Sequence, residues 1–191
     1  MGQLVVVENV TLDGVMQAPG GADEDVRDGF RHGGWARPYS DRVMAETMGK
    51  GMSKDGAMLF GRRTYEQFYG FWSHQTDGNP YTEVLNRSHK YVASRTLTAP
   101  LPWANSSLLD GDVTTAVAEL KRDTDLVVLG SGELVRTLAG AGLVDFYTLS
   151  IHPLTLGTGI KLFDDTYARL ELVECIPTTT GVLIATYRPA A

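Results

Sequence analysis

Three short segments of the sequence combine glycine, hydroxyl and arginine side chains, the groups that bind phosphate in proteins. They are "LFGRRTYE" (59–66), "YVASRT" (91–96) and "VVLGSGELVRTL" (127–138). Arginine donates planar, charge-assisted hydrogen bonds to phosphate oxygens, and glycine lets an anion approach the N–H groups of a helix start. Each segment ends an apolar run, so we expect three strand ends around one extended ligand with two phosphate regions.

Each segment also has a purely structural interpretation. Arg62 or Arg63 can be solvated or can pair with Glu66 at helical spacing. The Gly130–Gly132 turn can be a tight strand–helix connection, because the third glycine of a dinucleotide fingerprint is replaced by Val135. The sequence leaves both interpretations of these segments open.

The candidate phosphate groups need strands and helices to position them, and the hydrophobic pattern predicts both. Alternation of the two predicts an α/β fold, a mostly parallel central sheet flanked by helices in one domain over residues 1–191. Strands are expected at 4–11, 57–61, 90–95, 105–110, 125–132 and 144–153, and helices at 39–56, 62–72, 79–88, 112–123 and 133–142. Residues 160–163, 168–179 and 181–189 are expected to add antiparallel strands around a turn at Gly181.

Composition excludes several classes of function. The net charge of -6 argues against a nucleic-acid-binding protein, which normally carries a basic face. Cys175 is the only cysteine and the four histidines have no metal-ligand spacing, so neither a disulfide nor a metal site is expected. No basic leader and no apolar stretch of membrane-spanning length is present, so we expect no membrane association and a cytoplasmic protein.

The order of the motifs "VTLDG" (10–14), "GRRTYE", "VASRT", "LGSGELVRTL" and "IHPLTLGTGIKLF" (151–163) resembles the dihydrofolate reductase-like superfamily. Within it, the chain is similar to the bacterial group of the C-terminal reductase domain of the bifunctional riboflavin-biosynthesis enzyme. The resemblance implies an NADPH-dependent oxidoreductase, a homodimer, that transfers hydride to a small heterocyclic or sugar-derived substrate.

The resemblance also assigns residues to the two phosphate regions of NADPH. The 2′-phosphate side would be met by Gly61, Arg62, Thr64, Ser94 and Arg95, and the diphosphate by Gly130, Ser131, Gly132, Glu133 and Leu134. The nicotinamide and substrate would be bordered by Val10, Thr11, Asp13 and Gly14, and the 153–159 loop would close the other side.

The substrate stays open at this stage. The acidic residue that holds the pterin ring in dihydrofolate reductases has no matching motif here, although Asp28, Asp41 and Glu46 are candidates. Riboflavin-pathway reductases usually carry a lysine after "LDG", where this chain has Val15. Alternatives of another class are a nucleotide-binding protein without catalysis and a flavin- or pterin-binding module.

Three further side chains have two interpretations each. Trp35 could stack on a flat heterocycle or anchor a lid on the core. His152 could face the pocket as a proton donor or be structural. Asp13 could bind substrate or fix the turn with Gly14. The methionines at 16, 44, 48, 52 and 58 are expected to fill the core.

Overall fold

The computed structural model describes residues 1–52, 56–76, 78–164 and 167–190, with the backbone alone for 49–52. Its strands are β1 (Leu4–Thr11), β2 (Ala57–Gly61), β3 (Lys90–Ala93), β4 (Ser106–Leu108), β5 (Leu126–Leu129), β6 (Phe146–His152), β7 (Leu170–Pro177) and β8 (Leu183–Pro189). Its α-helices are α1 (Arg42–Met52), α2 (Arg62–Trp72), α3 (Pro80–Arg87), α4 (Val113–Leu120) and α5 (Gly132–Gly140). Across the described ranges, no helix combines the length and apolar character needed to cross a bilayer.

The eight strands form one mixed sheet in the order β4-β3-β2-β5-β1-β6-β8-β7. The first six strands pair in parallel, whereas β8 pairs antiparallel with both β6 and β7. This confirms the predicted α/β fold with a mostly parallel sheet and antiparallel strands at its C-terminal end. The β-branched, apolar strand β1 lies between β5 and β6, as expected for a strand covered on both faces.

One predicted strand is wrong. Residues 160–163 form no strand of the sheet, and Lys161 makes only an isolated bridge to Val15. The backbone groups of this segment instead bond the first loop: Met16 N–H donates to the Ile160 carbonyl at 2.8 Å. The helix expected over 39–56 begins at Arg42, and its expected residues 53–55 lie outside the described part of the chain.

Helices cover the sheet through two apolar clusters. Val117 of α4 and Leu138 of α5 are fully buried in a cluster with Leu4 and Val6 of β1. A second cluster contains Tyr65 of α2 and Leu85 of α3 together with Phe60 of β2. Full burial of a large apolar side chain stabilises the fold by roughly 1.5–3 kcal/mol, so these clusters fix the helices on the sheet.

Lys90, at the start of β3, is a fully buried cation. Its Nζ donates to the Ser88 carbonyl at 2.6 Å and lies 4.7 Å from the centre of the Trp103 ring. Carbonyl oxygens at the end of α3 and an aromatic face are good partners for a cation, but they compensate for lost water less fully than a carboxylate would. Burial therefore lowers the pKa of Lys90 from 10.5 to about 8.

We predict that the stability of the protein rises with pH between about 8 and 10.5 because of Lys90. In that range the unfolded chain keeps the proton that the folded chain has lost, so raising the pH favours the folded state. Urea unfolding across this range should show the rise in the wild type and a smaller one in Lys90→Met. An identical pH slope in the two proteins would contradict the prediction.

Candidate active site

A cleft of about 2060 Å³ opens at the carboxyl ends of the parallel strands. It exists because neighbouring strands stop at different levels. Pairing between β5 and β1 ends with Leu129 opposite Val7, whereas β1 continues beside β6 as far as Thr11. The chain leaves β5 at this step, which places the following turn and helix at the edge of the cleft. Open α/β sheets bind their ligands at such strand ends.

Two of the predicted phosphate-binding segments meet in this cleft. The Gly61 N–H, at the end of β2, donates to Ser131 Oγ after β5 at 2.9 Å. Ser131 Oγ also lies 3.3 Å from the Leu129 carbonyl oxygen, to which it donates. Gly130 and Ser131 both have left-handed backbone conformations, with φ of 60° and 66°. The hydroxyl therefore joins two strand ends that are 70 residues apart in the sequence.

The helices that begin at these two strand ends have no side-chain caps. The N-cap of α2 is Gly61 and that of α5 is Ser131, and neither makes a capping side-chain hydrogen bond. By contrast, Asn79 caps α3 and Asp112 caps α4. First-turn N–H groups have no partner within a helix, and they carry the positive end of the helix dipole. The N-termini of α2 and α5 are therefore suited to bind an anion.

Six arginines line the same cleft, and three of them, Arg62, Arg63 and Arg95, directly follow strands β2 and β3. Arg62 Nη1 pairs with Glu66 Oε2 at 3.0 Å, which is the structural alternative that the spacing allowed. Both side chains of this pair are more than a third exposed, so the pair contributes about 0–1 kcal/mol. Arg62 can exchange such a partner for a phosphate at little cost.

The remaining residues assigned to the phosphate regions differ in what they offer. Thr64 packs against the Gly130 turn, so closely that a Cβ added at Gly130 would lie 2.9 Å from Thr64 Cγ2. Ser94 Oγ accepts from the Thr96 N–H at 3.1 Å and shapes its own turn. Leu134 is buried in the core, so only its backbone is offered to a ligand. All ten residues predicted for the two phosphate regions line the cleft.

The "TLDG" segment does not line the cleft but joins the first loop to the 153–159 loop. Thr11 Oγ1 donates to Asp13 Oδ1 at 2.5 Å, and Asp13 Oδ2 accepts from the Gly157 N–H at 2.7 Å. The Thr11 bond, with the backbone N–H groups of 156–157, holds the pKa of Asp13 below its usual value. Asp13 thus fastens the 153–159 loop to the first turn, while Val10 is in the core and Gly14 in the turn.

Trp35 and His152 pack against each other, and His152 also lines the cleft. Trp35 is 6% exposed, and its Nε1–H donates to the Gln17 carbonyl at 2.7 Å, so it anchors the first loop. Its ring meets the His152 ring edge-on, with centroids 5.1 Å apart. His152 is fully buried, and its Nδ1 lies 2.9 Å from the Ser150 carbonyl oxygen. Because a carbonyl only accepts, Nδ1 carries the proton.

Of the two interpretations of His152, proton donation is not supported by this environment. Burial lowers the pKa of His152, an effect larger than the opposing one of the Ser150 and Val10 backbone bonds. The ring is therefore neutral near pH 7, and its one proton is held by the Ser150 carbonyl. The second ring nitrogen, Nε2, is buried without a hydrogen-bond partner among the described residues. It offers a lone pair and no proton.

Other residues at the cleft were not anticipated from the sequence. Met16, Met44 and Met48 line it, which corrects the expectation that Met44 and Met48 fill the core, whereas Met16 also packs against the core. Met58 is buried as expected, and the side chain of Met52 lies outside the described part of the chain. Helical spacing marked an apolar side of α1 but did not say what covers that side. Glu8 also lines the cleft, and it was visible in the sequence as the one charged residue inside the apolar run of β1.

Comparison with known proteins identifies the family. A model of the RibD C-terminal domain matches residues 3–184 of the chain. The chain belongs to the RibD C-terminal domain family. The chain is also similar to the uncharacterized protein YyaP of Bacillus subtilis (strain 168). The two are 30% identical over 140 residues, which cover 68% of this chain and 72% of that protein.

Solved structures show how widely the fold of this RibD C-terminal domain protein is shared. A putative riboflavin biosynthesis protein from Shewanella sp. PV-4 has a TM-score of 0.68 at 16% identity, with 99% of each chain covered. A pyrimidine reductase-like protein from Corynebacterium diphtheriae gives 0.67 at 14% identity, covering 100% of this chain and 92% of the other. Dihydrofolate reductase from Enterococcus faecalis, complexed with NADP(H) and RAB-propyl, gives 0.62 at 14%, covering 100% and 98%. These likenesses show that the chain has a dihydrofolate reductase-like fold.

We predict that Gly130→Ala destabilises this RibD C-terminal domain protein more than Gly142→Ala. Both glycines have left-handed backbones, and an alanine there costs roughly 1–2 kcal/mol. A Cβ at Gly142 meets nothing within 4 Å, whereas one at Gly130 strikes Thr64 and should cost about 1 kcal/mol more. Urea unfolding measures both values. Equal losses would show that the Thr64 contact relaxes freely.

Proposed function

We propose that the protein is an NADPH-dependent reductase that transfers hydride to a C=N or C=O bond of a small heterocyclic or sugar-derived substrate. The observation that carries the proposal is the meeting of two uncapped helix N-termini, joined by the Gly61–Ser131 hydrogen bond, in a cleft that is also lined by six arginines. Such a cleft favours a ligand with two separate phosphate groups.

The groups present fit the two ends of NADPH. The N-terminus of α5, with its left-handed Gly130–Ser131 turn, suits the diphosphate because backbone N–H groups and the helix dipole both favour negative charge. The start of α2 adds Arg62, and Arg95 comes from the end of β3, so these charges suit the 2′-phosphate. When bound, the nicotinamide supplies the hydride, while the chain positions it and excludes water.

Relatives support the reaction class without naming the substrate. The Corynebacterium protein is called pyrimidine reductase-like, the Shewanella protein a riboflavin biosynthesis protein, and the Enterococcus structure contains NADP(H) with a dihydrofolate reductase. These three neighbours suggest two candidate substrates, dihydrofolate and the phosphoribosylaminouracil of riboflavin biosynthesis.

The cofactor part is tested by titrating NADPH and NADH against the wild type, Arg62→Ala and Arg42→Ala. Arg42 is the matched control, since it forms the same kind of i,i+4 pair, with Glu46, but does not line the cleft. We predict that Arg62→Ala weakens NADPH binding about tenfold or more and leaves NADH unchanged, because one charge-assisted hydrogen bond is lost. Arg42→Ala should behave as the wild type.

Two results would count against the proposal in different ways. Equal affinity of the wild type for NADPH and NADH would remove the 2′-phosphate role of Arg62. If neither NADPH nor NADH binds, the reductase proposal itself is overturned. If NADPH binds, its oxidation is followed with dihydrofolate, the riboflavin-pathway aminopyrimidine, quinones and small ketones. Tight binding with no oxidation would favour a nucleotide-binding protein without catalysis.

We further propose that the protein forms a homodimer through the edge strand β7. Leu172 and Val173 of this strand are 57% and 53% exposed, a large apolar exposure for an unpaired sheet edge. A charge at Leu172 should separate the dimer, so sedimentation velocity should give a dimer for the wild type and a monomer for Leu172→Glu. Leu12→Glu, at an exposed loop leucine, is the control. A monomeric wild type at all concentrations would reject this proposal.

A further inference from the structure

Glu8 is a buried acidic side chain, and one of its oxygens has no hydrogen-bond partner within the described part of the chain. The residue lies on β1 one position beyond Val7, where pairing with β5 stops, and its side chain lines the cleft. It is only 5% exposed, and Oε1 has no hydrogen-bond partner among the residues that the structure describes. Glutamate is rarely buried unless it is paired, because an unsatisfied polar group costs free energy. The unpaired oxygen of Glu8 is therefore placed to form a hydrogen bond with a ligand that enters the cleft.

The same surroundings set the charge of this carboxyl group. Burial raises the pKa of Glu8 well above its usual value, and the negative charge of Glu24 raises it further. Glu8 is therefore a group that retains its proton closer to neutral pH than an ordinary glutamate does. Ionisable groups from every element around the cleft line it as well. Besides Glu24, they include Asp23, Asp25, Arg27, Asp28 and Arg37 before α1, Arg62 and Arg63 of α2, Arg95 after β3, Asp112 before α4, Glu133 and Arg136 of α5, His152 of β6, and Lys161 and Asp164 after it.

His152 is the alternative proton source at the cleft, and its geometry excludes that role. Its single proton lies on Nδ1 in the bond to the Ser150 carbonyl, and Nε2 carries only a lone pair. A carboxylic acid with a free oxygen can instead donate to an acceptor atom of a ligand. Glu8 and His152 thus present a donor and an acceptor, both buried, to the same cleft.

We infer that Glu8 is the acid of the cleft, which protonates the nitrogen or oxygen of the substrate's C=N or C=O bond as the adjacent carbon receives hydride. The inference rests on the proposed reductase function. In this step NADPH would supply the hydride and be oxidised to NADP+, and the hydride forms the new C–H bond. The π electrons of the double bond move to the heteroatom, and the O–H bond of Glu8 breaks as its proton forms an N–H or O–H bond. Glu8 is left as a carboxylate and regains a proton from solvent. The substrate must accordingly present an acceptor atom beside the reduced carbon.

A first experiment measures the state of the carboxyl group without any substrate. Protein labelled with 13C at the side-chain carboxyl carbon of glutamate is titrated by NMR, free and with NADPH bound, and Glu8→Gln identifies the Glu8 resonance by its absence. We expect Glu8 to titrate at a higher pH than the other glutamates. A Glu8 resonance that titrates together with the exposed glutamates would overturn the inference.

The second experiment compares NADPH oxidation by the wild type, Glu8→Gln and Glu119→Gln over the substrate panel. Glu119 is the matched control, because it is an exposed glutamate on α4 away from the cleft. General acids contribute about 10²–10⁴-fold, so we expect Glu8→Gln to lose at least about 10²-fold in kcat with unchanged NADPH affinity. The decline of the wild-type rate as pH rises through the Glu8 pKa should disappear in this variant.

The outcomes separate the two proposals. If the wild type binds or oxidises no NADPH, the reductase proposal fails and the role of Glu8 fails with it. If Glu8→Gln matches the wild type in rate and pH profile while NADPH is oxidised, the reductase proposal stands and the role of Glu8 is rejected. Loss of activity in Glu8→Gln with normal NADPH binding, normal folding and a normal Glu119→Gln supports the inference.

Discussion

The hydrogen bond from the Gly61 N–H to Ser131 Oγ is the contact on which the site depends. It ties the end of β2 to the end of β5, so two helix N-termini that are far apart in the sequence lie next to each other. Because the two strands are also paired in the sheet, this bond fixes the direction of both helices at their first turns. An anion placed between them meets positive helix ends from two sides, which neither turn would provide alone.

Much of this arrangement follows from local pattern. Apolar runs ending in glycine predicted β2 and β5, and the residues assigned to the two phosphate regions do lie around one cleft. Residues 160–163 show where pattern fails: their apolar character suits a strand, yet their backbone groups bond the 14–17 turn. A hydrophobic pattern predicts which residues are buried, but it does not predict which part of the chain packs against them.

The substrate side of the cleft was harder to predict for the same reason. Asp13 and Trp35 were each compatible with a ligand or with a structural role, and the structure shows long-range contacts of Asp13 to the 156–157 backbone and of Trp35 to Gln17 that the sequence could not reveal. The sequence marked Glu8 as a lone charge in a buried strand. It could not show that Glu8 borders the cleft, because that depends on where pairing between β5 and β1 ends. Buried charges elsewhere are satisfied, as in Lys121, whose Nζ lies 2.6 Å from Asp145 Oδ2.

The three methionines that line the cleft bear on how the family diversifies. Met16 lies on the first loop, and Met44 and Met48 on α1, so thioether side chains from two elements face the ligand space. Methionine is unbranched and polarizable, and it adapts its shape to irregular neighbours at little cost. A wall of this kind accommodates ligands of different outline while the rigid strand ends hold the cofactor. Evolution can therefore exchange one substrate for another here by repacking flexible side chains, without rebuilding the scaffold.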